Sequence, residues 1–297
     1  MIDLSDVPPG ATVLTGLRDH HVHLGLVDVD ELGGSVLSAV DDLGGNLEDS
    51  LRWRRDRPGG VRVRVAGPFL TAPGGYPSGR SWAPDGGVAA IASADAGRAV
   101  VRELVAAGVD LVKVVLHDGM PLLGDPELAA VVDAAHDLGR PVVAHTEGVG
   151  QPGRALAAGV DVLAHTPWTE LLPDDLLTVM ARRTTWISSL SIHAADEESY
   201  GRAVANLSRF HAAGGRVRYG TDLGNTVRQA GLDRAELAGL VTAGLAVDAI
   251  LAAVSVAGPT PGWVTWSPEP VPSEAGELVD WFATVRRSPV PASQEHA

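Results

Sequence analysis

Residues 103–119, ELVAAGVDLVKVVLHDG, contain one complete unit of the fold. The amphipathic run that ends at Ala107 reads as the close of a helix spanning 93–107, with Val100, Val101, Leu104 and Val105 facing inward. Gly108 then supplies a left-handed C-terminal cap, and 111–116 is apolar at every position except Lys113. A strand apolar on both faces, following a helix, belongs to a parallel sheet covered on both sides. The same unit recurs at 131–148, 154–168 and 209–224. Helix 125–138 has Asp125 as its expected N-cap and Pro126 in its first turn, and it carries an apolar stripe of Leu128, Val131, Val132, Ala135 and Leu138. Working outward gives eight strands, at about 13–19, 36–41, 62–66, 111–116, 141–145, 161–165, 185–190 and 217–220. This predicts an α/β chain forming a single-domain (β/α)8 TIM barrel over residues 1–262. A short Pro-rich C-terminal tail, 263–297, would follow, with one short helix near 276–286 packed on the barrel. Residues 67–87 form a long Gly/Pro-rich loop whose Tyr76, Arg80 and Trp82 suit a lid or substrate wall.

Composition narrows the chemistry. The 297 residues include no cysteine, which excludes thiolate zinc, iron–sulfur ligation and a cysteine nucleophile, so any metal must be held by nitrogen or oxygen. A net charge of −14 argues against nucleic acid as a partner, since phosphate binding needs a basic surface. The longest nearly apolar stretch, 243–257, is broken by Asp248 and too short to span a bilayer. The acidic N-terminus lacks the basic and apolar regions of a secretory signal, so a cytoplasmic protein acting on a small molecule is expected. Gly148-Val149-Gly150-Gln151-Pro152-Gly153 matches the spacing of a dinucleotide fingerprint, but Pro152 crowds the turn and no other feature supports it. P-loop and serine-hydrolase signatures are absent from the sequence.

Seven of the ten histidines fall at or just beyond the carboxyl end of an expected strand: His20, His21, His23, His117, His145, His165 and His193. In a parallel barrel those ends converge on one face, where catalytic residues lie. His21 and His23, two apart on a strand, can share one centre while His20 and Val22 face away. With His145, His165 and Asp222 they offer nitrogen and oxygen ligands suited to zinc or a similar divalent ion. Lys113 is the anomaly: an ammonium buried in an apolar strand must be paired, neutralised or modified. A salt bridge to a carboxylate across the barrel is the plainer alternative.

Taken together, Gly16-Leu17-Arg18-Asp19-His20-His21-Val22-His23, the Lys113 strand, Val143-Ala144-His145, Leu163-Ala164-His165 and Gly220-Thr221-Asp222 resemble the metal-dependent amidohydrolase superfamily, in its imidazolonepropionase-like and prolidase-like branch. The likeness covers about residues 3–258. It implies that His21, His23 and Asp222 hold one divalent metal, that His145 and His165 hold a second, and that N-carboxylated Lys113 bridges them. Zinc is the first choice, and manganese, cobalt or iron would also suit the donors. The implied reaction is hydrolysis of an amide-type C–N bond, in a linear or cyclic amide or a dipeptide-like substrate, by hydroxide bridging the two metals. Asp222 would act as proton shuttle, and His193, Tyr76 and His117 would contact the substrate or its oxyanion. Arg80 would pair with a substrate carboxylate. Lactone or ester hydrolysis and heterocycle deamination use the same hydroxide, and a non-catalytic small-molecule-binding barrel is a third reading.

Three departures from the family pattern stand out. Most of the usual β-sandwich is expected to be missing, which would leave apolar surface for a homo-oligomer to cover. Thr15 stands where a proline is usual, and Gly74-Gly75-Tyr76 replaces Gly-Gly-His, removing a metal ligand and leaving a hydrogen-bonding phenol.

Overall fold

The computed structural model describes residues 7–225, 229–256 and 262–290. Its strands are β1 (Thr12–Leu14), β2 (Leu17–Val22), β3 (Leu37–Asp42), β4 (Arg62–Val65), β5 (Phe69–Thr71), β6 (Val88–Ala90), β7 (Val112–His117), β8 (Val142–Glu147), β9 (Val162–Leu163), β10 (Thr185–Ile187), β11 (Arg216–Arg218), β12 (Trp263–Ser267) and β13 (Arg286–Pro289). The architecture is mixed α/β. A seven-stranded parallel sheet runs in the order β11-β10-β9-β8-β7-β5-β6, and a three-stranded parallel sheet runs β2-β3-β4. Backbone hydrogen bonds link the two sheets at both sides. Asp110 N donates to Val65 O at 2.9 Å, while His20 N donates to Tyr219 O at 2.9 Å and His23 N to Leu223 O at 2.8 Å.

Local signals explain the helices. In Ala94–Ala107 the Ser93 side chain accepts from Ala96 N, and Gly108 closes the helix at φ 109°, a left-handed angle that glycine adopts without Cβ strain. Asp125–Asp137 begins one residue earlier than an Asp125 N-cap implied: Gly124 is its N-cap and Asp125 its first helical residue, where the carboxylate favours the positive end of the helix dipole. Glu197–Ala212 is held to the sheet by Phe210, whose ring stacks on buried Trp186 of β10 at 3.9 Å between centroids. Among the described residues, no helix is long and apolar enough to cross a membrane.

The first expected strand is in fact two. Gly16, at φ 116°, breaks the run, so that β1 leaves the parallel sheet and β2 enters it. β1 pairs antiparallel with β12, and β12 with β13, giving a separate three-stranded sheet. The tail is therefore more than a helix. It contributes two strands besides the short helix Ala275–Trp281, and its alternation of Pro and polar residues hid them. The expected loop 67–87 is not wholly irregular: Phe69–Thr71 within it forms β5, which pairs parallel with β6 just beyond its end.

β2 also departs from simple alternation. Its pairing with β3 shifts register between Asp19 and Val22, a bulge that inserts an extra residue. Arg18 and His20 line one cavity and His21 and His23 another, so His20 points away from the centre that His21 and His23 share.

Candidate metal centre

Six side chains from five separate segments line one cavity of about 130 Å3 beyond the carboxyl ends of the strands: His21, His23, Lys113, His145, His165 and Asp222. Phe69, Tyr76, Trp82 and Trp168 give it aromatic walls. The core of the cluster is His21, His23 and Asp222. His21 Nε2 and His23 Nε2 lie 3.2 Å apart, and each is within 3.3 Å of Asp222 Oδ1. On the other side of each ring, His21 Nδ1 donates to Ala164 O at 2.8 Å and His23 Nδ1 to Gly44 O at 3.0 Å. A carbonyl oxygen can only accept, so these bonds place the ring proton on Nδ1 and leave both Nε2 atoms as lone-pair acceptors. Burial, reinforced by the Lys113 charge, holds the His21 pKa well below the usual imidazole range and so keeps that ring neutral. Asp222 Oδ1 is buried with no hydrogen-bond donor among the described residues. Burial alone would raise the Asp222 pKa, but the neighbouring His21, His23 and His165 hold it well below the carboxylate range. Three acceptor atoms thus converge on one point, an arrangement that a cation satisfies and a proton does not.

The donors are held by the local fold. Asp222 sits at φ 56° and Ser189 at φ 38°, both left-handed, in the turns after β11 and β10. Such conformations concentrate at functional sites because surrounding structure must enforce them. Asn225 Nδ2 donates to Asp222 Oδ2 at 2.9 Å, and Ser189 Oγ lies 2.8 Å from His165 Nδ1. Beneath them, Asp19 accepts from His21 N, Thr221 N and Thr221 Oγ1, tying β2 to the Asp222 turn. Gly220 is required there by close approach: a Cβ would meet Ile187 Cγ2 at 2.3 Å and His21 Cβ at 3.0 Å.

Lys113 is 1 % exposed and makes no hydrogen bond or ion pair with the described residues. The salt bridge across the sheet is therefore not formed. Burial lowers its pKa to about 7 against the opposing pull of Asp222, which leaves much of the amine neutral near neutral pH. His145 and His165 meet edge to face at 5.1 Å between ring centroids, and the His21 and His165 rings lie 4.6 Å apart. Burial and the neighbouring His21 hold the His165 pKa well below the imidazole range.

The structure adds Glu147. His145 Nε2 is 3.3 Å and His117 Nδ1 2.9 Å from Glu147 Oε2, so these three form a second candidate ligand group. Burial pushes the Glu147 pKa up, but His145 and His117 outweigh it and lower it. The strand period could have revealed this residue, since His145 and Glu147 are two apart on β8. Ser189 and Asn225 carried no comparable signal.

The expected substrate residues divide. Tyr76 lines the cavity, and burial raises its pKa to about 12, keeping the hydroxyl protonated as a donor. His117 stacks on Tyr76 at 4.4 Å, Arg80 lies over the same ring at 5.6 Å, and His193 packs on Trp168 at 4.6 Å. None of these three lines the cavity, so each stands one layer behind its wall.

No family model matches the chain, and no curated protein matches it. Solved structures do. A Xaa-Pro dipeptidase with methionine bound in its active site matches with a TM-score of 0.71 at 20% identity, over 94% of this chain and 87% of that one. An amidohydrolase matches with a TM-score of 0.71 at 20% identity, over 91% and 83%. The ochratoxinase of A. niger matches with a TM-score of 0.72 at 17% identity, over 92% and 81%. The chain therefore shares its mixed α/β fold with these proteins across nearly its full length.

Proposed function

We propose that this chain is a metal-dependent hydrolase that cleaves an amide-type C–N bond in a small molecule. The observation that carries the reading is the convergence of His21 Nε2, His23 Nε2 and Asp222 Oδ1 as three buried acceptors around one point. The shared fold with a Xaa-Pro dipeptidase and an amidohydrolase supports the bond type. The hydrogen bonds at both seams between the parallel sheets support their acting as one (β/α)8 barrel, with the site at the mouth where such barrels place it.

His21, His23 and Asp222 would hold one divalent ion, and His145 and His165 a second. N-carboxylated Lys113 would stand between them, and zinc is the first choice for both positions. Such ions make hydroxide available near neutral pH and polarise a carbonyl. The buried, partly neutral Lys113 amine is the form that adds carbon dioxide. Asp222 carries the proton from the attacking water to the departing nitrogen through Oδ2, which Asn225 holds in place. Tyr76 donates its hydroxyl to the developing oxyanion, and the aromatic walls exclude bulk water. His193, neutral because burial lowers its pKa to about 4, fixes Trp168 against the substrate. His117 would orient Tyr76, on which it stacks, and Arg80, over the same ring, would pair with a substrate carboxylate that extends past it.

The test is metal analysis of the purified protein together with turnover of N-acyl amino acids, dipeptides and cyclic imides, run beside lactones and aminated heterocycles. Hydrolysis confined to the lactones, or deamination alone, would replace the amide reading. Asp222→Asn should lower kcat by at least about 100-fold while most of the metal is retained. Full activity in that variant would refute the proton shuttle.

A further inference from the structure

The larger cavity of the molecule is not the one that holds the histidine cluster. It measures about 520 Å3 and opens at the amino ends of the same strands. The strands show the separation directly. β8 gives Val143 to this cavity and His145 to the other, while Leu111, just before β7, faces here and Lys113 faces the metal centre. Leu43, Leu111, Val143 and Ile187 form its inner wall and belong to a small apolar cluster of their own.

The mouth of this cavity is basic in a chain whose net charge is −14. Arg18, Arg64, Arg216 and Arg218 line it, against Asp41 as the one carboxylate in the lining. That carboxylate is already shared: Asp41 lies 3.3 Å from Arg18 Nη1, 2.9 Å from His20 Nδ1 and 3.6 Å from Arg64 Nη1. Arg216 and Arg218 have no carboxylate partner among the described residues, and Arg218 reaches only Ala252 O, at 3.3 Å. Arg18 Nε and His20 Nε2 are buried with no hydrogen-bond partner among the described residues. Guanidiniums crowded in a concavity repel one another and lose hydration, and an anion offsets both costs. Their planar forks match phosphate and carboxylate oxygens. The volume falls within the roughly 300–1,000 Å3 of small-molecule sites, and the apolar inner wall beside a charged mouth is the usual construction of one.

We propose that this cavity is a second binding site, for a small organic anion whose phosphate or carboxylate head group meets Arg216 and Arg218 and whose apolar body fills the space against Leu111, Val143 and Ile187. The site stands apart from the metal centre and does not depend on the hydrolase reading.

Calorimetric titration of the full chain with phenylphosphonate and with benzoate tests it, with benzyl alcohol as the uncharged control. One or both anions should bind and benzyl alcohol should not, and the anion that binds better names the head group. Arg216 is exposed and has no carboxylate partner among the described residues, so Arg216→Glu should fold normally and weaken binding at least about tenfold. Arg218→Gln should weaken it in the same direction. Asp222→Asn, at the other end of the strands, should leave binding unchanged. Absence of binding by either anion, equal binding of benzyl alcohol, or affinity that survives Arg216→Glu and Arg218→Gln would overturn the proposal. Loss of binding in Asp222→Asn alone would place the anion at the metal centre and overturn it equally.

Discussion

Replacing Lys113 with methionine should stabilise the metal-free protein, although it removes a residue from the centre of the site. Methionine keeps the length and most of the volume of the side chain, so the packing between β5 and β8 is preserved. What changes is the cost of burying an amine. Its pKa falls from an ordinary 10.5 to about 7 on folding. At about 1.36 kcal/mol per pH unit, that drop corresponds to a burial cost on the order of 4–5 kcal/mol at pH 7. For a base whose pKa is lowered in the folded state, the folded protein is favoured above the unfolded pKa and penalised as pH falls towards the folded one. The advantage of Lys113→Met should therefore be largest at or below pH 7 and vanish above about pH 10.5. Urea denaturation of chelator-treated wild type and variant at several pH values reads this directly. Equal or lower stability of the variant at pH 7, or an advantage independent of pH, would refute the account of Lys113 as a buried, unpaired amine. With divalent metal and bicarbonate added the order should reverse, because only the lysine can then join the ligand set.

Other outcomes follow from the neighbouring geometry. Ser189→Ala removes the partner of His165 Nδ1 and should weaken metal binding about 10- to 100-fold, measured against a competing chelator, with little change in the fold. Gly220→Ala forces a Cβ against Ile187 and His21 and should cost about 1–3 kcal/mol in urea denaturation, and an unchanged midpoint would show that the packing there has slack. The His193 pKa is lowered to about 4 on folding. The unfolded chain therefore binds the proton first as pH falls, and stability is lost between about pH 6.5 and 4. Over that interval wild type should lose up to about 2 kcal/mol more than His193→Gln, and parallel curves would contradict the burial of that ring.

How far the fold could be read from sequence varied from element to element. The Gly108 unit was plain because a capping glycine, an amphipathic helix and a doubly apolar strand leave different marks on neighbouring residues. β3 was the faintest strand by composition, since Ser38, Asp41 and Asp42 dilute its apolar run. All six of its residues are nonetheless buried, because Asp42 is satisfied by Ser50 Oγ and Leu24 N, and Asp41 by the basic cluster. Polar groups that find partners only through long-range contacts look like solvent-facing residues in a one-dimensional reading. β12 and β13 were missed for a related reason: β12 finds its partner β1 some 250 residues away, and β13, an edge strand paired only with β12, tolerates the proline and polar residues that mask it.

By itself the sequence determined the strand–helix alternation, the exclusion of sulfur ligands and the set of side chains assigned to a metal, because local propensity and residue chemistry are properties of short stretches. Tertiary structure decided the rest. His20 lines the far cavity and His21 the near one, Glu147 takes up His145 and His117, Lys113 forms no ion pair with the described residues, and four arginines meet at the opposite mouth. Each of those outcomes depends on which distant atoms come within hydrogen-bonding or ion-pairing reach, and only the folded chain sets those distances.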